Sequence, residues 1–170
     1  RYMFRKGHDR ALFDHEMKLI REYLDISRLH YPDAFPFSCQ IDPLLSHVRI
    51  PPLLLHGFVE NIIQHALVPD HTVHIIIYGE YEDGIVTIQI ADDGIGMNEE
   101  DTALINSGDF SSSPEGSHVG IKNAVLRLKH FYGEKSSITV ESEPDSGTIF
   151  TITIPYNLTE VSDDEFINGE

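Results

Sequence analysis

The sequence has one cysteine, Cys39, so it cannot form an intramolecular disulfide, and no Cys-x-x-Cys spacing is present to hold zinc. A reducing compartment is therefore the expectation. Of the ten histidines, His71 and His74 are the closest pair in a loop-to-strand stretch, and a zinc site there would need further convergent ligands. No apolar run approaches the roughly 20 residues needed to cross a bilayer. The stretch from Arg1 to Arg10 also lacks the apolar core of a signal peptide, so this fragment is expected to be soluble and to make no direct membrane contact. Basic residues are scarce: 12 Lys+Arg stand against 28 Asp+Glu, for a formal net charge of -16. That balance opposes a nucleic-acid partner, which would need a basic stripe to release counterions. Ser/His/Asp hydrolase chemistry has no support, because no Gly-x-Ser-x-Gly elbow occurs.

What remains is an ordinary globular composition, 41% hydrophobic and 24% charged over 170 residues, enough for one core. Phe13, Met17, Ile20 and Leu24 recur at helical spacing between Arg10 and His30, which predicts an amphipathic helix stopped by Pro32 and Pro36. Phe37 to Ile41 reads as a short strand, followed by a linker through His47. Pro51 and Pro52 suit the first turn of a second helix, Leu53 to Leu67. Val73 to Gly79 and Gly84 to Ala91 are rich in β-branched residues and should pair as a hairpin across Glu80 to Asp83, with Asp83-Gly84 as turn chemistry. From Asp92 to Gly120 the chain is dominated by Gly, Ser, Asp and Asn, which predicts a long mobile segment with a short helix near Glu99 to Ile105. A helix from Val119 to Tyr132, capped by Gly133, precedes a second hairpin of Ser137 to Glu143 and Thr148 to Pro155. Helices gathered on one side of a hairpin-built sheet make a two-layer α/β sandwich. The tail from Tyr156 is acidic and reads as a solvated terminus.

Three short segments carry chemistry. The second helix keeps Leu55, Val59, Ile62, Ile63 and Ala66 for the core and groups Glu60, Asn61, Gln64 and His65 on another side. Asn61 and His65 stand one turn apart, so an amide oxygen could coordinate a hard cation while an imidazole reaches a phosphate oxygen. A solvated polar face is the alternative. In Ala91-Asp92-Asp93-Gly94-Ile95-Gly96-Met97, glycines let backbone approach a ligand while a carboxylate can accept from an exocyclic amine. An ordinary acidic turn would look the same. Gly116-Ser117-His118-Val119-Gly120 then enters a helix whose free N–H groups suit phosphate. Neither Gly-Lys-Ser/Thr nor Gly-x-Gly-x-x-Gly accompanies it, which excludes P-loop and dinucleotide folds. A nucleotide is compatible with the acidic charge, since Mg²⁺ and backbone N–H groups neutralise phosphates without a basic surface.

In this order the three segments resemble the N box and the two glycine boxes of the GHKL ATPases. The match is to the LytS/YesM-type sensor kinases, in IPPLLLHGFVENIIQHAL, IADDGIGM, GSHVGIKNAVLRLKHFYG and SGTIFTITIP. The resemblance implies a mixed, mostly antiparallel sheet of the Bergerat type with helices on one face, and a site for ATP and Mg²⁺. Asn61 would hold the metal, with Glu60 as candidate base or polarising group. Asp92 would bind the adenine amine, and Gly94 and Gly96 would shape the pocket floor. Gly116 and Gly120 would flank the exit of a lid running from about Asn98 to Val119, and His65 and Asn123 would lie near the phosphates. Residues 1–31 would lead in from a phosphoacceptor region, 32–156 would form the ATP-binding domain and 157–170 the tail. The family's acceptor motif is absent from this sequence, so the implied protein-histidine kinase would need its own phosphoacceptor/dimerisation helices from elsewhere and should not autophosphorylate as given. A response regulator, a homodimer and a cytoplasmic position in a bacterial membrane protein follow from the same resemblance. Two departures motivate a second reading, a non-catalytic dimerisation or signal-relay module: Gln64 stands where Lys is common, and His118 where a lid glycine is common. A third reading, an ATP-hydrolysing relative of the chaperone and gyrase types, fits the kinase-like stretches less well.

Overall fold

The computed structural model describes residues 10–65, 71–111 and 118–156. Gly116, the acidic tail, and Ala66 and Leu67 of the expected second helix lie outside the described residues. In chain order the elements are β1 (Ala11–Leu12), α1 (Phe13–His30), β2 (Phe37–Ile41), a 3-10 turn (Pro43–Leu45), β3 (Arg49–Ile50) and α2 (Leu54–His65). Then come β4 (Ile75–Glu82), β5 (Ile85–Asp92), α3 (Glu99–Ser107), α4 (Val119–Tyr132), a second 3-10 turn (Gly133–Lys135), β6 (Ser137–Ser142) and β7 (Thr148–Pro155).

A five-stranded sheet runs in the order β2-β4-β5-β7-β6, antiparallel except for β2, which pairs with β4 in parallel. The period-2 pattern puts Ile75, Ile77, Val86, Ile88, Ile90, Ile152 and Ile154 on one face, all fully buried, while Ile76 and Ile149 face out. This is the two-layer sandwich expected from the sequence. The first hairpin is tighter than expected. β4 and β5 pair as far as Glu82↔Ile85, leaving only Asp83 and Gly84, at φ 50 and 80, as a two-residue turn. Positive φ at both central residues matches the right-handed twist of the strands, which is why Asp-Gly serves here.

The helices pack on the buried face. Phe13, Met17, Ile20 and Leu24 of α1 are buried, but the helix begins at Phe13 because Ala11 and Leu12 instead pair with Ile50 and Arg49. That small sheet is tied to α4: the Tyr132 hydroxyl donates to the Arg49 carbonyl, and the Arg10 guanidinium lies 5.2 Å from the Tyr132 ring centre. Burial pushes the Tyr132 hydroxyl up to about 12, so it remains an O–H donor at physiological pH. The prolines do not occupy the first turn of α2, as the sequence had implied. Pro51, Pro52 and Leu53 form a separate turn ahead of it, with Leu53 at φ 58. Part of the segment expected to be mobile forms regular structure: Asn98 caps α3 by accepting from the Asp101 N–H, and Ile105 is buried. Asn106 also completes the edge strand β6, donating to Val140 O at 2.9 Å and accepting from Val140 N–H at 2.7 Å.

Two turns interlock beside the helix layer. The chain leaving β5 and the β6–β7 turn touch backbone to backbone: the Asp145 N–H donates to Ile95 O at 2.8 Å. The Ser142 hydroxyl accepts from Met97 N–H at 2.8 Å and donates to Gly147 O at 2.7 Å. No side chain fits between them. A Cβ at Gly96 would come within 1.9 Å of Glu143 O, and one at Gly147 within 2.0 Å of Asp92 O; both glycines have positive φ. Gly147→Ala is expected to lower stability by about 1–3 kcal/mol through strain at this contact. Gly120→Ala in the first turn of α4, where a Cβ meets nothing within 4 Å, is expected to gain up to about 1 kcal/mol of helix propensity. Denaturant midpoints of the two variants check both signs.

Candidate functional site

A cavity of about 720 Å³ opens between α2, α4 and the interlocked turns. Of the residues expected to act together, Glu60, Asn61, His65, Asp92, Gly96, Gly120 and Asn123 all line it. Gly94 does not line it; its N–H donates to Asp92 Oδ1 at 2.9 Å, so its place is behind the carboxylate. Gly116 falls outside the described residues.

The α2 side of the cavity follows from helical periodicity. Leu54, Leu55, Phe58, Val59, Ile62 and Ile63 are buried, Phe58 stacking at 4.8 Å on Phe150 of β7, which leaves the next stripe for polar groups. Asn61 is partly exposed on that stripe. Glu60 sits between two partners on its own helix: Gln64 donates to its Oε1 at 3.2 Å, and His56 Nδ1 lies 4.0 Å from its Oε2. The Tyr23 ring of α1 meets His56 edge-on at 4.8 Å. Burial, then the charge of Glu60, push the Tyr23 hydroxyl up.

Asp92 closes β5 opposite Thr148, a buried residue that also lines the cavity. Burial raises the Asp92 carboxyl above its ordinary value; the Gly94 N–H offsets part of this and the Asp93 charge adds to it. Its second oxygen takes no hydrogen bond from the described residues. Asp93 turns the other way, accepting from His74 N–H at 2.6 Å and meeting His74 Nδ1 at 2.8 Å, and so ties the turn to the start of β4.

The start of α4 supplies donors. His118 precedes the helix at φ 53, a left-handed conformation that favours glycine, and the first-turn N–H groups have no side-chain cap. Its Nε2 lies 2.9 Å from Asp101 Oδ1 on α3, so the imidazole links α3 to α4 at the cavity wall. Sequence reasoning missed Leu53, Arg127 and Thr148, which line the cavity as well. Arg127 was hidden in a helical run, and its guanidinium donates to the Pro52 carbonyl. Thr148 follows the Ser-Gly turn and was read only as strand.

A partly buried carboxylate, an amide on α2 and the start of α4 thus meet around one cavity beside a sheet covered by helices on one face, the architecture of a two-layer α/β domain with its pocket between helices and strand-end turn. The chain belongs to the histidine kinase-, DNA gyrase B-, and HSP90-like ATPase family, which it matches over residues 52–158. It is similar to the sensor histidine kinase YesM of Bacillus subtilis (strain 168), 31% identical over 148 residues, covering 86% of this chain and 24% of that protein. It is also similar to the sensor histidine kinase/phosphatase LytS of Staphylococcus aureus (strain MRSA252), 28% identical over 150 residues, covering 86% of this chain and 25% of that protein. The chain thus spans about a quarter of the length of these curated relatives. Among solved structures, the histidine kinase AdeS of Acinetobacter baumannii shares the fold at a TM-score of 0.65 and 18% identity, covering 91% of this chain and 70% of that one. The catalytic domain of histidine kinase ThkA does so at 0.64 and 15% identity, covering 89% and 97%. No helix among the described residues is long and apolar enough to cross a membrane.

The raised Asp92 carboxyl makes a signed prediction. A group whose folded-state value lies above its unfolded value binds more protons when folded, so its contribution is present at low pH and is lost as pH rises through the folded value. Asp92→Asn keeps an acceptor for the Gly94 N–H and carries no charge to desolvate. It is expected to raise the unfolding midpoint at pH 7, with the advantage shrinking towards pH 4. Thermal melts of both proteins across that range test it, and an equal gap at every pH would remove Asp92 as the cause.

Proposed function

We propose that this chain is the catalytic domain of a two-component sensor histidine kinase, which binds Mg-ATP and passes the γ-phosphoryl group to a histidine on a separate helical segment. The observation that carries this reading is the meeting, in one cavity, of the Asp92 carboxylate, Asn61 and the uncapped start of α4. The free Asp92 oxygen accepts the exocyclic amine of adenine, and Ile95 and Met97 offer apolar surface beside it. Gly120 leaves open space at the first turn of α4, so phosphate oxygens can approach backbone N–H groups, with His65 and Asn123 at hand.

The residues fit a magnesium ion held jointly with phosphates. Mg²⁺ keeps several waters and takes one or two protein ligands beside substrate phosphates, and the Asn61 amide oxygen supplies such a ligand. Among the described residues no group of three His, Cys, Asp or Glu side chains could form a protein-only cage. When bound, the ion would supply the positive charge that neutralises the phosphates, with Asn61 as its protein ligand. Glu60, beside Asn61 and held between His56 and Gln64, is placed to polarise or deprotonate the incoming imidazole. Catalysis then rests mainly on positioning and charge neutralisation.

Residues 1–31 on this reading lead in from the acceptor region, 32–156 form the ATP-binding domain, and a response regulator receives the phosphoryl group. Homodimerisation through the acceptor helices, and a place on the cytoplasmic side of a bacterial membrane protein, belong to the same proposal. Relatives named as sensor kinases support it, and no observation favours the non-catalytic relay. Calorimetric titration with a nonhydrolysable ATP analogue, with and without Mg²⁺, tests the site. Saturable binding is expected in the unsubstituted chain, weakened at least roughly tenfold, or about 1.4 kcal/mol, in Asp92→Ala, and stripped of its Mg²⁺ dependence in Asn61→Ala. Absence of binding at millimolar analogue would hand the lead to the relay reading. Phosphorylation of a supplied acceptor segment would establish the transfer.

A further inference from the structure

Glu16 of α1 is the only fully buried carboxylate among the described residues, and nothing in the proposed chemistry uses it. A buried carboxyl group needs polar partners, and those of Glu16 all lie at the entrance to α2. The Leu53 N–H donates to Oε1 at 2.6 Å, and the His56 N–H approaches Oε2 at 3.4 Å. These amides include the start of the helix, where N–H groups have no acceptor within the helix itself. The residue before α2 is Leu53, whose side chain cannot cap, so the cap is supplied from 37 positions earlier in the chain.

The same turn is held from the opposite side. The Pro52 carbonyl accepts from Arg127 of α4, and Leu53 stays in a left-handed conformation at φ 58 that a leucine adopts only under constraint. Leu53 and Arg127 both line the cavity. Seven residues along α1, on the face that carries Glu16, Tyr23 touches His56, which stands beside Glu60. The seam between α1 and α2 is thus polar at the points that set the position of Glu60 and Asn61.

We infer that Glu16 is a positioning residue for the nucleotide site: by capping α2 from α1 it sets the placement of the helix that carries Glu60 and Asn61, so that displacement of α1 is felt as a change in nucleotide affinity. This rests on the nucleotide reading above. Apolar packing fixes which face of α2 turns inward, and Glu16 and Arg127 add a polar grip at its entrance that resists sliding along the axis.

The test compares the whole chain with Glu16→Gln and with Leu24→Ala, which removes a buried side chain further along α1 without touching the turn. Glutamine keeps the shape and one acceptor oxygen but turns an NH₂ donor towards the second N–H. Affinity for the ATP analogue with Mg²⁺, the thermal midpoint, and amide hydrogen exchange at Leu53 and His56 are read on each. Glu16→Gln is expected to weaken the analogue roughly tenfold and to speed exchange at both amides. Leu24→Ala is expected to lower the midpoint while leaving affinity within about twofold of the unsubstituted chain. Should Glu16→Gln fail to fold, Glu16→Asp, shorter by one methylene, carries the same readouts. Unchanged affinity and exchange in the Glu16 variant, beside an unsubstituted chain that binds, would overturn the inference alone. An unsubstituted chain that does not bind the analogue would overturn the nucleotide reading and the inference with it.

Discussion

One helix serves two masters in this fold: α2 must bury its apolar stripe against the sheet and hold its amide stripe at the cavity. Six buried residues fix its rotation; at about 1.5–3 kcal/mol for each large apolar side chain, exposing that stripe would cost an amount comparable with a whole domain's net stability. Rotation is therefore settled by the core alone. Axial position is fixed further at the helix end. That second coordinate depends on polar contacts at the entrance, where Glu16 and Arg127 grip the Pro51–Leu53 turn. Core packing and site geometry are in this sense separate constraints on a single element.

On the proposed reading, the other side of the cavity exchanges stability for ligand complementarity. Asp92 is held at the end of β5, where burial disfavours its charge, and only one of its oxygens is satisfied by the described protein. Such a group destabilises the free domain at neutral pH and is relieved when a donor arrives. The backbone contact at Gly96 and Gly147 holds the main chain at Asp92 close against the β6–β7 turn. Leu53 and His118 extend the pattern, since both are non-glycine residues at positive φ on the wall of the same cavity.

The regular elements were legible because their signals are strong: Phe13 to Leu24 at helical spacing, the β-branched residues of β4 and β5, and Gly133 as the stop of α4. Asn61, Asp92 and Gly120 were legible as candidates because short segments of unusual composition contain them. The pairing of β1 with β3 was not, because two-residue strands have no period. Glu16 gives no local signal in the sequence, because its burial follows from a contact 37 positions away that local pattern does not encode. Pro51-Pro52 misled for a related reason. Local propensity places proline in a first turn, whereas here the tertiary clamp makes it part of a separate turn whose last residue takes the strain. His118, which stands where a lid glycine is common in the family, keeps the left-handed backbone that favours glycine and adds a contact to Asp101.

An acidic domain proposed to bind a polyphosphate raises a question of sign, since the net charge of -16 opposes the ligand at long range. Distance resolves it. At physiological ionic strength surface charges are screened over about 8 Å, whereas hydrogen-bond donors in a cavity act at contact and at lower effective dielectric. The local supply of positive side chains is nevertheless thin: His65, His118 and Arg127 are the basic residues of the lining, and two of them already have partners in Asp101 and Pro52. On the proposed reading, most of the phosphate charge must then be met by the backbone N–H groups at the start of α4 and by the ion at Asn61. A site built this way depends on its metal and on the placement of two helices, α4 for the phosphates and α2 for the ion. The clamp on the Pro51–Leu53 turn governs the second of these and, through Arg127, joins it to the first.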